Sequence, residues 1–153
     1  MNQDFKELLH LFAEHEVEYL IAGGYAVVHH AQPRYTKDLD LWINPSAENS
    51  QRVGRAFMKF GVPLVEVTLE DFASEGLQFM IGIEPNAIGF LTTIPGLSFS
   101  DAWRNRVVDE SFGFPVFYIS KPDLIAAKIA SGRQVDLADV EELQRSDKLK
   151  TRK

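Results

Sequence analysis

The chain contains no cysteine. Disulfides, thiolate metal centres and a catalytic thiol are thereby excluded, while the absence says little about compartment. Long apolar runs are also missing, with none approaching the roughly 18 residues that a membrane-spanning helix needs. The first residues, among them Asn2, Gln3, Asp4 and Lys6, do not form the cationic-then-apolar pattern of a signal peptide. Basic residues are in the minority, 16 Lys and Arg against 22 Asp and Glu, for a net charge of −6. That balance argues against a surface built mainly to grip nucleic acid, which needs clustered Lys and Arg. The exception is the terminal group Lys148, Lys150, Arg152 and Lys153, read as a solvated tail from about residue 146. The expectation is a soluble, cytoplasmic protein.

The 153 residues fit one domain, a size that typically buries roughly 70% of the surface its unfolded chain exposes. No repeat, low-complexity stretch or linker divides it. Phe5, Leu8, Leu9 and Phe12 recur at helical spacing and predict an amphipathic helix over about 3–15. The short apolar run 19–22 predicts a strand stopped by Gly23-Gly24, and 25–31 predicts a short helix that Pro33 ends. Residues 38–43 begin with the alternation of a strand. Pro45-Ser46 offers a cap for a long helix carrying Val53, Phe57 and Phe60, terminated by Gly61 and Pro63. Segments 77–83 and 87–93, joined by Glu84-Pro85-Asn86, read as a β-hairpin. A strand over 116–119 precedes the cap Ser120-Lys121-Pro122-Asp123, and helices are expected over about 123–131 and 137–145, parted near Gly132. The class is therefore α/β (α+β): a mixed sheet flanked by helices, with C-terminal helices.

Two features carry chemistry. Asp38 and Asp40 stand two apart on the expected strand, so their carboxylates share a face with Cα atoms roughly 6.5 Å apart. Charges that close repel unless a cation lies between them, and an all-oxygen donor set suits Mg²⁺ or Mn²⁺. A polar strand face open to water is the plainer account of the same pair. Gly23-Gly24, after a strand and before a helix, lets backbone approach a ligand where helix N–H groups meet anionic phosphate. A tight turn explains the dipeptide equally well on its own.

The combination is more specific. Leu20-Ile21-Ala22-Gly23-Gly24, thirteen residues, then Asp38-Leu39-Asp40-Leu41 resembles the signature of the DNA polymerase β-like nucleotidyltransferase superfamily. Thr36 to Leu41, and Lys128 with Arg133 to Asp139, resemble the acid-pair strand and C-terminal helical motif of small bacterial nucleotidyltransferase-like proteins, some associated with toxin–antitoxin systems. The likeness covers most of residues 4–145 and is strongest at 19–43. It implies a nucleotidyltransferase-type sheet and metal-dependent transfer of a nucleoside monophosphate from an NTP to an acceptor, whether protein, RNA end or small molecule. Asp38 and Asp40 would hold Mg²⁺ or Mn²⁺ and act as the catalytic acids. Gly23 and Gly24 would meet the phosphates, with Thr36, Lys37 and Lys128 as further nucleotide contacts. Thr36 and Lys37 are equally read as an exposed loop pair, and Lys128 as a surface lysine.

One departure weakens the case for catalysis. The superfamily completes its metal site with a third acid from a neighbouring strand, and the matching stretch Ala87-Ile88-Gly89-Phe90-Leu91 has Gly89 there. Losing a general base commonly costs on the order of 10²- to 10⁴-fold in rate. Glu66 and Glu84 are the available substitutes, each also an ordinary exposed acid. The alternative is a non-catalytic member that acts through nucleotide or partner-protein binding, as in a toxin–antitoxin pair; separately, the small size leaves a homodimer or a partner subunit as a way to complete the cleft. His29 and His30 are read as structural or as cleft-lining, and the four histidines fit no zinc motif. Arg133 is placed to pair with Asp136 or Asp139 one helical turn on, and Trp42 and Trp103 read as packing residues.

Overall fold

A computed structural model describes residues 1–33, 35–36, 38–62, 67–83 and 86–151, with side chains given as far as Ser146. The described elements run α1 (Gln3–Glu14), β1 (Tyr19–Ala22), α2 (Gly23–His30), β2 (Leu39–Ile43), α3 (Ala47–Phe60) and α4 (Leu69–Phe72). They continue with β3 (Gln78–Ile81), β4 (Ile88–Leu91), α5 (Phe99–Arg104), β5 (Val107–Asp109), β6 (Val116–Tyr118), α6 (Lys121–Ser131) and α7 (Gln134–Thr151). The six strands form one mixed sheet in the order β3-β4-β2-β1-β6-β5. β2 runs antiparallel to β1 and parallel to β4, and β1 is parallel to β6. No helix among the described residues is long and apolar enough to cross a membrane.

Alternation along the strands divides the sheet into two chemically different faces. Tyr19, Ile21, Leu41, Phe79 and Phe90 project to one side, where they meet Phe12 of α1, Phe57 of α3 and Phe72 of α4. Phe57 lies 5.2 Å from Phe90 and 5.4 Å from Phe72, both edge-to-face, the arrangement ring quadrupoles favour. Phe12, Phe57, Phe72 and Phe90 are essentially inaccessible to water. The opposite face carries Leu20, Ala22, Asp40, Trp42, Gly89 and Leu91. Trp42 packs edge-on against Phe99 of α5 at 5.2 Å.

The helices and the hairpin follow the expected pattern, with shifted ends. Ser46 caps α3 by accepting from the Asn49 amide, and Gly61 closes it at φ +93°. Ser120 caps α6 with Pro122 in the first turn, and Gly132 at φ +68° separates it from α7. β3 and β4 pair antiparallel as read. Three expectations change. α2 begins at Gly23, so the two glycines are its first residues and do not precede it. Asp38 lies just outside β2, because pairing starts only where the Leu39 amide donates to the Ala87 carbonyl. α7 does not stop near 145 but continues to Thr151, so the basic end of the chain is helical up to that residue. α4, α5 and β5, all short, are elements that the sequence pattern did not reveal.

Candidate functional site

The site is built around Asp40. The β1–β2 register sets Ala22 opposite Asp40, and the β2–β4 register sets Gly89 opposite Asp40 on its other side. The next strand continues the row with Met80. Ala22, Asp40, Gly89 and Met80 therefore share one face across four strands. Immediately after Ala22 the chain turns through Gly23 at φ +68°, a conformation that side chains disfavour. A Cβ there would overlap Asp40 Oδ2. At Gly89 a Cβ would stand 2.9 Å from Asp40 Oδ1, closer than such contacts occur without a shift. Two glycines thus leave room for one carboxylate.

Burial, and secondarily the charge of Asp38, push the Asp40 carboxyl up to about 6, against the opposing charge of Lys128. Asp38 Oδ1 is buried and has no hydrogen-bond partner among the described residues. A carboxylate oxygen shut from water without a donor is costly, and a cation shared by Asp38 and Asp40 would relieve both the missing partner and the repulsion. The donor set is oxygen only and suits Mg²⁺ or Mn²⁺. It is also short: among the described residues no group of three or more His, Asp or Glu is placed to hold an ion. Glu66 and Glu84, the substitutes considered from sequence, lie outside the described residues, as does Lys37. Thr36 is half-buried, two residues before Asp38.

Lys128 is not a surface lysine. It is 8% exposed, and its ammonium lies 2.9 Å from Asp139 Oδ2 and 3.3 Å from Asp136 Oδ1. Arg133 Nε donates to Asp136 Oδ2 at 2.7 Å, the ion pair expected from spacing, and the Ser131 hydroxyl donates to the same oxygen. Burial pushes the Asp136 carboxyl up, but the hydrogen bonds from Ser131 and Arg133 and the Lys128 charge outweigh it and leave it below the usual carboxylate range. Gly132 makes this possible by turning α7 back on α6 within a few residues. Among the described residues the network sets Lys128 and Arg133 against Asp136 and Asp139, and Asp38 and Asp40 add negative charge beside it.

Two hollows meet at Asp40. One, of about 210 Å³, lies between the sheet and the α6–α7 pair, with Gly23, Asp40, Leu124, Lys128 and Arg133 in its wall. The other, of about 380 Å³, lies over β3 and β4, bounded by Asp40, Gln78, Met80, Gly89 and Leu91. The first has cationic side chains. The second has none among its described lining residues.

Residues 23, 38, 40 and 128 are thus brought together, and Gly24 lies beside them as the second residue of α2. The histidines are not: His29 stacks on Tyr118 with ring centroids 4.0 Å apart, and His30 Nε2 lies 2.8 Å from the Ile119 carbonyl, so both fasten α2 to β6 and its end. Trp42 is core, as expected. Trp103 is half-buried, and the Arg106 guanidinium lies over it at 4.0 Å. The sequence reading missed the pairing of Lys128 with Asp136 and Asp139. It also missed Tyr25, whose hydroxyl is raised by burial and then by the nearby Asp38 charge. The signal for the first was an isolated lysine and two acids on opposite sides of a helix-ending glycine. No protein-family model and no curated protein sequence matches this chain, so the likeness to nucleotidyltransferases stands on its motifs.

Proposed function

We propose that the protein is a metal-dependent nucleotidyltransferase that moves a nucleoside monophosphate from an NTP to a hydroxyl acceptor. The observation that carries this reading is the convergence on Asp40: the left-handed Gly23 turn at the start of α2, the half-buried Asp38 beside it and Lys128 beyond. Asp38 and Asp40 would hold the ion, whose chemistry is to neutralise phosphate charge and align the displacement. Gly23 and Gly24 bring the first amides of α2 to the phosphates, at the positive end of the helix. Lys128 and Arg133 line the same hollow and favour an anionic ligand there. Lys128 acts mainly by fixing α6 and α7 against the site, since two carboxylates already hold its ammonium. An NTP donor also fits the cytoplasmic setting expected from composition.

A second reading is favoured by Gly89. With glycine opposite Asp40, no third carboxylate arises from β4, and the chain would serve as a nucleotide- or partner-binding member of the fold. Calorimetric titration of ATP, GTP, CTP and UTP, with and without Mg²⁺, separates the readings when set beside Asp38→Ala/Asp40→Ala. Metal-dependent binding that the double variant loses, followed by labelling of an acceptor, supports transfer. Binding without turnover supports the second reading, and no binding under any condition removes both nucleotide roles.

A further inference from the structure

We infer that Tyr35 is the nucleobase platform of the site, its ring stacking on the base of the NTP with little selection among the four bases. This rests on the nucleotide site proposed above. Every other Phe, Tyr and Trp among the described residues is buried or half-buried. Trp42 is taken up in packing on Phe99, and the Arg106 guanidinium covers the ring of Trp103 at 4.0 Å. Tyr35 is 77% exposed, on the connection between α2 and β2. A single exposed ring is ordinary on a protein surface, and it is position that gives this one a use.

Chain length sets the position first. Tyr35 precedes Asp38 by three residues, so their Cα atoms are at most about 11 Å apart. The ring therefore stays in the neighbourhood of the acid pair. Tyr25 supplies a second bearing. It is the third residue of α2, just after the left-handed turn at Gly23, and its ring packs edge-on against Phe5 of α1 at 5.9 Å. Its hydroxyl is raised by burial, then by the charge of Asp38 and then by Tyr35, so both groups lie near the first turn of α2. The exposed ring thus stands close to the helix start that meets phosphate and to the carboxylates that hold the ion.

Charge sets the direction in which an NTP lies. Lys128 and Arg133 stand in the wall of the hollow beneath α6 and α7, on the Asp40 face of the sheet, and draw the terminal phosphates there. α1 packs on the opposite face, and Tyr25 reaches it through Phe5. With the α-phosphate at Asp38 and Asp40 and the remaining phosphates toward Lys128, the nucleoside projects past the acid pair toward Tyr25 and Tyr35. Arg34 and Lys37 flank this ring in the sequence, and cations interleaved with an aromatic suit a phosphorylated ligand that carries a flat base. A tyrosine offers a π-face and a single hydroxyl, too few polar atoms to read a base edge. The four bases are therefore held alike.

The test is calorimetric titration of the full chain with ATP, UTP and inorganic tripolyphosphate, each with Mg²⁺, for the parent, Tyr35→Ala and Tyr35→Phe. Both changes fall on an exposed side chain, so the fold is kept. Tyr35→Ala is expected to weaken ATP and UTP about tenfold each, the usual effect of losing one stacked base. Tyr35→Phe should bind both as the parent does, and tripolyphosphate should bind all three proteins equally. ATP binding that Tyr35→Ala leaves unchanged would overturn the inference, and a matching loss of tripolyphosphate would do so by assigning the ring to the phosphates. A loss for ATP with none for UTP would overturn the equal treatment of bases. A parent that binds tripolyphosphate as tightly as ATP keeps the phosphate site and overturns the platform alone. A parent that binds neither removes the nucleotide site and this inference together.

Discussion

Gly89 and Asp40 face each other across the parallel β2–β4 pair, with the position of a Gly89 Cβ 2.9 Å from Asp40 Oδ1. An acid at position 89 would thus enter the site beside Asp40, on the same face. Gly89→Asp is expected to tighten Mn²⁺ binding on the order of tenfold, because ligand charge count sets the affinity of oxygen sites. The close Cβ contact is with a side-chain oxygen, which can move aside. Calorimetry with Mn²⁺, in the absence of nucleotide, checks this. Unchanged or weaker binding would show that the Asp38–Asp40 pair is not a metal site awaiting a third ligand.

The raised Asp40 carboxyl makes a prediction about stability. Its value in the folded protein is about 6, above the roughly 3.9 of an unperturbed aspartate. The folded state therefore favours the protonated form, and stability is lost as pH rises from about 4 to about 6. Above that window the penalty is at most about 3 kcal/mol, from roughly 1.4 kcal/mol per pH unit. Asp40→Asn should accordingly raise the melting temperature at pH 7.5 and have little effect at pH 4. Adding Mg²⁺ should narrow the gap at pH 7.5 by stabilising the native aspartate. An Asp40→Asn variant less stable than the parent at pH 7.5 would contradict the electrostatic account.

The sequence made some of this visible for physical reasons. α1 and α3 were legible because their apolar residues recur at helical spacing and polar caps or glycine mark their ends. Gly89 was placed opposite the acid pair by matching one short apolar strand to another, and the register agrees. α5 and β5, of 6 and 3 residues, are too short for periodicity to show. The burial of Lys128 was illegible because it depends on carboxylates 8 and 11 residues away, brought back by the Gly132 turn. The open row ending at Met80 requires knowing the order of strands, which no local pattern contains.

Lys128 supports a prediction of opposite outcomes for single and double variants. Lys128→Met leaves Asp139, 4% exposed, and Asp136, 5% exposed, without their shared cation. Removing one member of a buried pair typically costs about 3–5 kcal/mol. The double variant Lys128→Met/Asp139→Leu removes one of the two buried carboxylates that face the ammonium and should be more stable than Lys128→Met, with losses that are not additive. Asp136 stays paired with Arg133 and Ser131 throughout. Urea denaturation of the parent, both single variants and the double variant measures the coupling, and additive losses would show that Lys128 and Asp139 act independently.

Glu16 offers a stabilising change far from the carboxylates. It is the one non-glycine residue with positive φ among the described residues, at 56°, and it ends α1. The Val17 amide donates to the Phe12 carbonyl at 2.9 Å and the Glu16 amide to the Ala13 carbonyl at 3.2 Å, the paired bonds of a left-handed helix terminus. Glycine is the usual residue at that position, because a Cβ in left-handed backbone costs about 1–2 kcal/mol. Among the described residues the exposed Glu16 side chain makes no ion pair that would offset this, since Arg52 reaches its carbonyl oxygen and not its carboxylate. Glu16→Gly is therefore expected to stabilise the fold by about 1 kcal/mol, after the greater freedom of glycine in the unfolded chain is subtracted. For a chain of this length that gain corresponds to a rise of about 2–4 °C in Tm. A lower Tm would mean that the Glu16 side chain contributes more to this terminus than its backbone geometry costs.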